Sequence, residues 1–185
     1  MSGSDLQNSG KQMGVLLERY ARLTTFMMDL DGVLTDGYDY CTDEGEVLRG
    51  LHVRDGFALQ YALRMGYNVC VLSGSKSSGV RARLERLGVT DVYMGVPFKM
   101  DVFLQYKTQK SLRGEEIVYI GNDMPDLDVM KQVGLAVAPC DAANDILQVA
   151  HYITNVGGGR GCVREIIENV LKLQEKWYTP QTFSW

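Results

Sequence analysis

An apolar, β-prone run at residues 24–28 stops at two aspartates, Asp29 and Asp31, with Gly32 directly behind them. The run is too short for a helix and reads as a buried strand. A carboxylate at the tip of a buried strand is costly to desolvate unless a cation or hydrogen bonds satisfy it. Two of them at one tip also repel each other. A hard cation such as Mg²⁺ relieves both problems, because it prefers oxygen ligands and keeps part of its own water shell. Open α/β sheets bind ligands at the carboxyl ends of their strands. Asp29 and Asp31 therefore mark where chemistry is expected.

The rest of the chain alternates strands with helices. A short amphipathic helix is expected over 13–23, with Val15, Leu16, Tyr20 and Leu23 as its apolar residues. Residues 38–48 read as a hairpin around Thr42-Asp43-Glu44-Gly45. Helices follow over 55–65, 76–87, 99–110 and 142–150, with one more opening at Pro125 and a terminal one over 162–176. Strands fall at 68–72, 91–94, 116–120, 135–138 and 152–154. The run Gly157-Gly158-Gly159-Arg160-Gly161 reads as a flexible link. This order argues for an α/β fold, a three-layer Rossmann-like parallel sheet with helices on both faces. One domain over 11–177 is expected, between a disordered tail at 1–10 and a C-terminal tail at 178–185.

Several classes are disfavoured. The 185 residues carry a net charge of −4, and no basic, aromatic-rich patch suggests nucleic acid. No run approaches the ~20 apolar residues of a membrane span. Cys41, Cys70, Cys140 and Cys162 are far apart and make no CxxC pair, so a reducing cytoplasm is the expected setting.

Three more expected strand ends carry suitable groups. Ser73 offers a hydroxyl, and Gly74 allows close backbone approach to a phosphate oxygen. Lys99 opens a helix with a positive charge. Asn122, Asp123 and Asp126 supply oxygen ligands. Alone, each has an ordinary reading as a turn, a solvated lysine or a helix cap. Together they fall on one rim of one sheet. They assemble a carboxylate nucleophile, a cation site and a lysine to neutralise equatorial oxygens, which suits phosphoryl transfer.

The order DLDGVLTDG, VLSG, a lysine and GNDMPD resembles the haloacid dehalogenase superfamily of phosphatases, across nearly the whole chain. The pieces HVRDGFAL at 52–59 and GGGRGCVREIIE at 157–168 are similar to the capless branch typified by 3-deoxy-D-manno-octulosonate 8-phosphate phosphatase. The resemblance implies an enzyme of lipopolysaccharide sugar synthesis acting on a phosphorylated acidic sugar. It implies that Asp29 is the nucleophile, that Asp31 is general acid and then base, and that Ser73 and Lys99 hold the phosphoryl group. Mg²⁺ would lie between Asp29, the Asp31 carbonyl and Asn122, with Asp123 and Asp126 in support. Substrate contacts are implied at His52, Val53, Arg54, Asp55, Gly56, Gly74, Arg83 and Arg160. The resemblance further implies no cap domain and a homotetramer joined through the hairpin.

Departures from the family pattern are Asn122, where Asp is usual, Ser75, where Arg is usual, His52 and Gln60. The first predicts weaker Mg²⁺ binding. The others leave a nonulosonate 9-phosphate as an alternative substrate. A non-hydrolytic sugar-phosphate-binding protein and a phosphoacceptor receiver domain are the readings from other classes.

Overall fold

The computed structural model describes residues 14–179. Residues 14–22 form helix α1, and Thr25–Asp29 form strand β1. Tyr40–Cys41 (β2) and Val47–Leu48 (β3) pair antiparallel as a hairpin. Then come Val53–Arg64 (α2), Asn68–Ser73 (β4), Ser78–Arg86 (α3), Asp91–Met94 (β5) and Lys99–Gln109 (α4). Ile117–Ile120 (β6), Leu127–Met130 (α5), Leu135–Ala138 (β7), Asn144–Val149 (α6), Tyr152–Ile153 (β8) and Cys162–Leu173 (α7) complete the chain.

Six strands form one parallel sheet in the order β5-β4-β1-β6-β7-β8. The chain first builds outward from β1 to β5, then restarts on the other side of β1 with β6. That reversal opens a crevice at the carboxyl end of β1, where open α/β sheets bind ligands.

Strand side chains alternate between faces, and this splits the core in two. Phe26 and Met28 of β1 join Val69, Val71, Val118 and Ile120 beneath α2 and α7. Met27 joins Cys70, Leu72, Ile117 and Tyr119 against Phe103 and Tyr106 of α4. Strands β1, β6 and β7 at the centre of the sheet are buried on both faces, which is why their sequences are almost continuously apolar. Helix α7 places Val163, Ile166, Ile167, Val170 and Leu171 on one buried stripe. Truncating Ile166 to Ala would destabilise the fold by about 2–5 kcal/mol.

Several local expectations shift. Helix α2 starts at Val53 rather than 55, and α3 at Ser78 rather than 76 because the Ser77 hydroxyl caps Val80 N–H at 3.3 Å. Helix α7 ends at Leu173, short of 176. In α1, Tyr20 and Leu23 beyond its end are buried, but Val15 is 54% exposed.

The largest correction concerns 157–161, which is no flexible link. Gly159 N–H donates to Val33 O at 2.8 Å and Gly158 N–H to Asp141 Oδ1 at 3.0 Å. A Cβ on Gly158 would lie 2.0 Å from Gly32 O. The glycines are there because two backbones touch. The expected tail at 1–10 and residues 180–185 lie outside the described residues.

Candidate active site

Asp29 closes β1 with its side chain nearly buried. Its Oδ1 accepts the Leu30 N–H at 2.7 Å, and its Oδ2 lies 2.8 Å from Lys99 Nζ. Burial pushes the Asp29 carboxyl up to about 7, and the Asp126 charge adds to this, while Lys99 opposes it. Burial also works against the Lys99 charge, but Asp126 and Asp29 outweigh it and raise its pKa. Lys99 is therefore a fixed ammonium.

The chain then coils tightly. Leu30 O accepts from the N–H groups of Leu34 at 2.9 Å and Thr35 at 3.0 Å. Gly32 has φ +82°, and a Cβ there would meet the Asn122 amide nitrogen at 2.1 Å. No other residue fits so close to the neighbouring strand tip. Asp31 lines the cleft beside Asp29. Its Oδ1 accepts from Arg49 Nε at 2.7 Å and from the Thr35 hydroxyl at 3.4 Å.

Ser73 ends β4 and is buried, with its Oγ accepting Ser75 N–H at 3.0 Å. The next loop is tied to this one, because Val96 N–H donates to Ser73 O at 2.9 Å and Gly95 N–H to Ser75 O at 2.8 Å. That loop delivers Lys99 at the first turn of α4.

Asp126 has a different place from the one expected. It is fully buried, and both oxygens are committed to the protein. Oδ1 accepts from Lys99 Nζ and Tyr119 OH, each at 2.6 Å. Oδ2 accepts from the N–H groups of Asn122 at 2.9 Å and Asp123 at 3.3 Å. Asp126 stands behind Lys99 and shapes the loop, with no oxygen free for a cation. Asp123 is exposed and caps Met124 N–H at 2.8 Å.

Asn122 Oδ1, by contrast, is buried and accepts no hydrogen bond. A buried, unpartnered carbonyl oxygen against Gly32, at the turn that follows β1, suits an oxygen-seeking cation. Among the described residues, no group of three His, Cys, Asp or Glu side chains is placed to hold a metal. A cation here would rest on Asp29, the Asn122 amide and backbone oxygen, an all-oxygen set that fits Mg²⁺.

Asp29, Asp31, Ser73, Gly74 and Lys99 thus meet in one cleft of about 380 Å³. Its walls include Ser75, Phe98, Met124 and Asp128. Phe98 and Met124 were not anticipated from sequence, nor was Arg49 behind Asp31; exposed apolar residues and a lone arginine after a hairpin carry no motif. Asp128 lay within reach of the GNDMPDLD run.

His52, Val53, Arg54, Asp55, Gly56, Arg83 and Arg160 do not line this cleft. Asp55 is buried and accepts Arg164 N–H at 2.6 Å, which ties α2 to the start of α7. Arg83 packs beside Gly56. Arg160 is exposed, and its charge contributes to holding the Asp36 carboxyl low, after hydrogen bonds from Tyr40 and Tyr38.

The 3-deoxy-D-manno-octulosonate 8-phosphate phosphatase of Yersinia pestis is 35% identical to this chain over 161 residues, 87% of the chain and 86% of that enzyme. The chain belongs to this phosphatase family. A crystal structure of the Yersinia pestis enzyme superposes with a TM-score of 0.85 at 34% identity, covering 88% of each chain. A putative haloacid dehalogenase superfamily hydrolase from Legionella pneumophila reaches 0.89 at 35% identity, over 92% of this chain and 93% of that one. The Moraxella catarrhalis phosphatase, solved with magnesium, phosphate and KDO, reaches 0.86 at 28% identity, over 89% and 95% of the two chains. No family model matches the chain.

Proposed function

We propose that this cleft hydrolyses 3-deoxy-D-manno-octulosonate 8-phosphate with Mg²⁺, as a step of lipopolysaccharide sugar synthesis. One observation carries the reading: three strand ends bring Asp29, Asp31, Ser73 and Lys99 to one cleft, and a fourth places the unpartnered Asn122 Oδ1 beneath Gly32. The relatives' activity and the bound groups in the Moraxella catarrhalis structure support the substrate and the cation.

Asp29 is the nucleophile. Its carboxylate oxygen bonds to phosphorus as the bond from phosphorus to the sugar oxygen breaks. Asp31 gives its proton to that departing oxygen, so the sugar leaves as an alcohol. Water then attacks the aspartyl phosphate and yields a proton to Asp31, which returns to its starting form as Asp29 and inorganic phosphate separate. Ser73 and Lys99 hold the phosphoryl oxygens throughout, and Asp126 holds Lys99. Mg²⁺ supplies charge neutralisation at those oxygens when bound to Asp29, Asn122 and the Asp31 carbonyl.

The exposed Tyr38, Tyr40, Val47 and Leu48 of the hairpin support a homotetramer joined there, which light scattering tests. The four free cysteines support a cytoplasmic setting. Among the described residues, no helix is long and apolar enough to cross a membrane.

The deciding experiment is phosphate release from the 8-phosphate, with and without Mg²⁺, against a nonulosonate 9-phosphate and neutral hexose phosphates. Metal-dependent preference for the 8-phosphate is expected. Hydrolysis of neutral hexose phosphates alone would overturn the reading.

A further inference from the structure

Arg49 follows β3 directly, and Asp39 directly precedes β2, so the two stand at the base of the hairpin. The Arg49 side chain is only 11% exposed. Its Nη2 lies 3.0 Å from Asp39 Oδ1, which closes the hairpin stem. Its Nε lies 2.7 Å from Asp31 Oδ1. One planar guanidinium thus joins the hairpin to the cleft, and its rigid fork sets the direction of both bonds.

The same Asp31 oxygen receives the Thr35 hydroxyl, which is itself held by the N–H groups of Gly32 at 3.2 Å and Gly37 at 3.3 Å. Asp31 Oδ2 accepts no hydrogen bond among the described residues, and the side chain lines the cleft at 37% exposure. With one oxygen anchored, rotation of the carboxyl group is arrested and the other oxygen is presented.

We propose that Arg49 is a positioning residue for the reaction, holding Asp31 Oδ1 so that Oδ2 meets the departing sugar oxygen. The hairpin is then a mount for the acid that protonates the leaving group. As the bond from phosphorus to oxygen breaks, the proton passes from Asp31 Oδ2 to the alkoxide. A misdirected Oδ2 delays that transfer without disturbing the attack by Asp29. The inference rests on Asp31 being the general acid.

The test is the ratio of kcat/KM for the sugar 8-phosphate to kcat/KM for p-nitrophenyl phosphate. This parameter reports the steps up to loss of the leaving group. A sugar alkoxide needs a proton as it departs, and p-nitrophenolate hardly does. Arg49→Gln should lower the ratio by roughly 10- to 100-fold, a part of the roughly 10²- to 10⁴-fold that general acid catalysis contributes as a whole. Arg49→Lys should restore part of it. Asp39→Asn loosens the guanidinium from its other side and should lower the ratio less, which keeps the test open if Arg49→Gln folds poorly. Asp31→Asn is the reference. If it lowers the ratio while the Arg49 and Asp39 variants lose both activities equally, Arg49 is only a staple and the inference fails. If Asp31→Asn leaves the ratio unchanged, the general-acid reading itself fails.

Discussion

Lys99 Nζ lies 2.6 Å from Asp126 Oδ1 and 2.8 Å from Asp29 Oδ2, so one buried ammonium bridges Asp29, the proposed nucleophile, and a carboxylate whose two oxygens are both committed to the protein. Asp126 neutralises Lys99 and points it at the cleft. Asp126→Ala would leave the Lys99 charge with Asp29 alone and strand the Tyr119 hydroxyl and two backbone N–H groups. Breaking such a pair destabilises by roughly 3–5 kcal/mol, which a denaturant titration reads. Asp126→Asn should fold and lose roughly 10- to 100-fold in kcat, as for supporting residues behind other sites.

Asp29→Asn removes the ionised carboxylate that the proposed mechanism uses for attack. Phosphate release should fall on the order of 10⁴-fold or more, as for other covalent nucleophiles. Mass spectrometry of the quenched native enzyme should find a phosphorylated Asp29, absent from the variant.

Asn122→Asp adds a negative charge where Oδ1 now stands unpartnered. Half-maximal activity should then need roughly tenfold less Mg²⁺, since ligand charge sets cation affinity. Asn122→Ala should need more. A metal titration of initial rates checks both.

Gly158→Ala places a methyl group 2.0 Å from Gly32 O and 3.0 Å from Thr35 O. Backbone atoms cannot step aside as a side chain can. The substitution should lower stability by about 1–3 kcal/mol, the usual range for overpacking. It should lower kcat too, because the displaced loop carries Asp31. Thermal melts and initial rates measure the two effects.

His151 Nδ1 accepts the Ala136 N–H at 2.9 Å, which requires a neutral ring. Burial, then the Arg19 charge, hold its pKa below the usual 6.5. A depressed pKa means that the folded state binds the proton less readily than the unfolded state. The contribution to stability is therefore complete above pH 6.5 and is lost as pH falls through the folded pKa. His151→Gln should flatten that part of the melting-temperature profile, and an NMR titration should place the His151 midpoint below 6.5.

Much of this molecule was written locally. Apolar runs such as 24–28 and 117–120 announced buried strands, and the Asp, Ser and Asn residues at their ends were legible as chemistry through their joint placement, since each alone also reads as a turn or a cap. The pattern of alternation then placed those ends on one rim. Sequence alone thus determined the fold class, the strand tips and the residue types that gather there.

Only the tertiary structure decided which of those residues serve the others. Asp126 reads as a cation ligand in its motif, yet Lys99, distant in sequence, takes one of its oxygens and the loop's own N–H groups take the other. Arg49 carries no local signal, since its meaning lies in a carboxylate across the hairpin. The glycines at 157–159 look like a flexible link until Gly32 and Val33 are packed against them. The physical reason is shared: a hydrogen bond or a close backbone contact is a property of two surfaces. Local propensity describes one at a time, so partners far apart in the chain are chosen only when the sheet and its helices close.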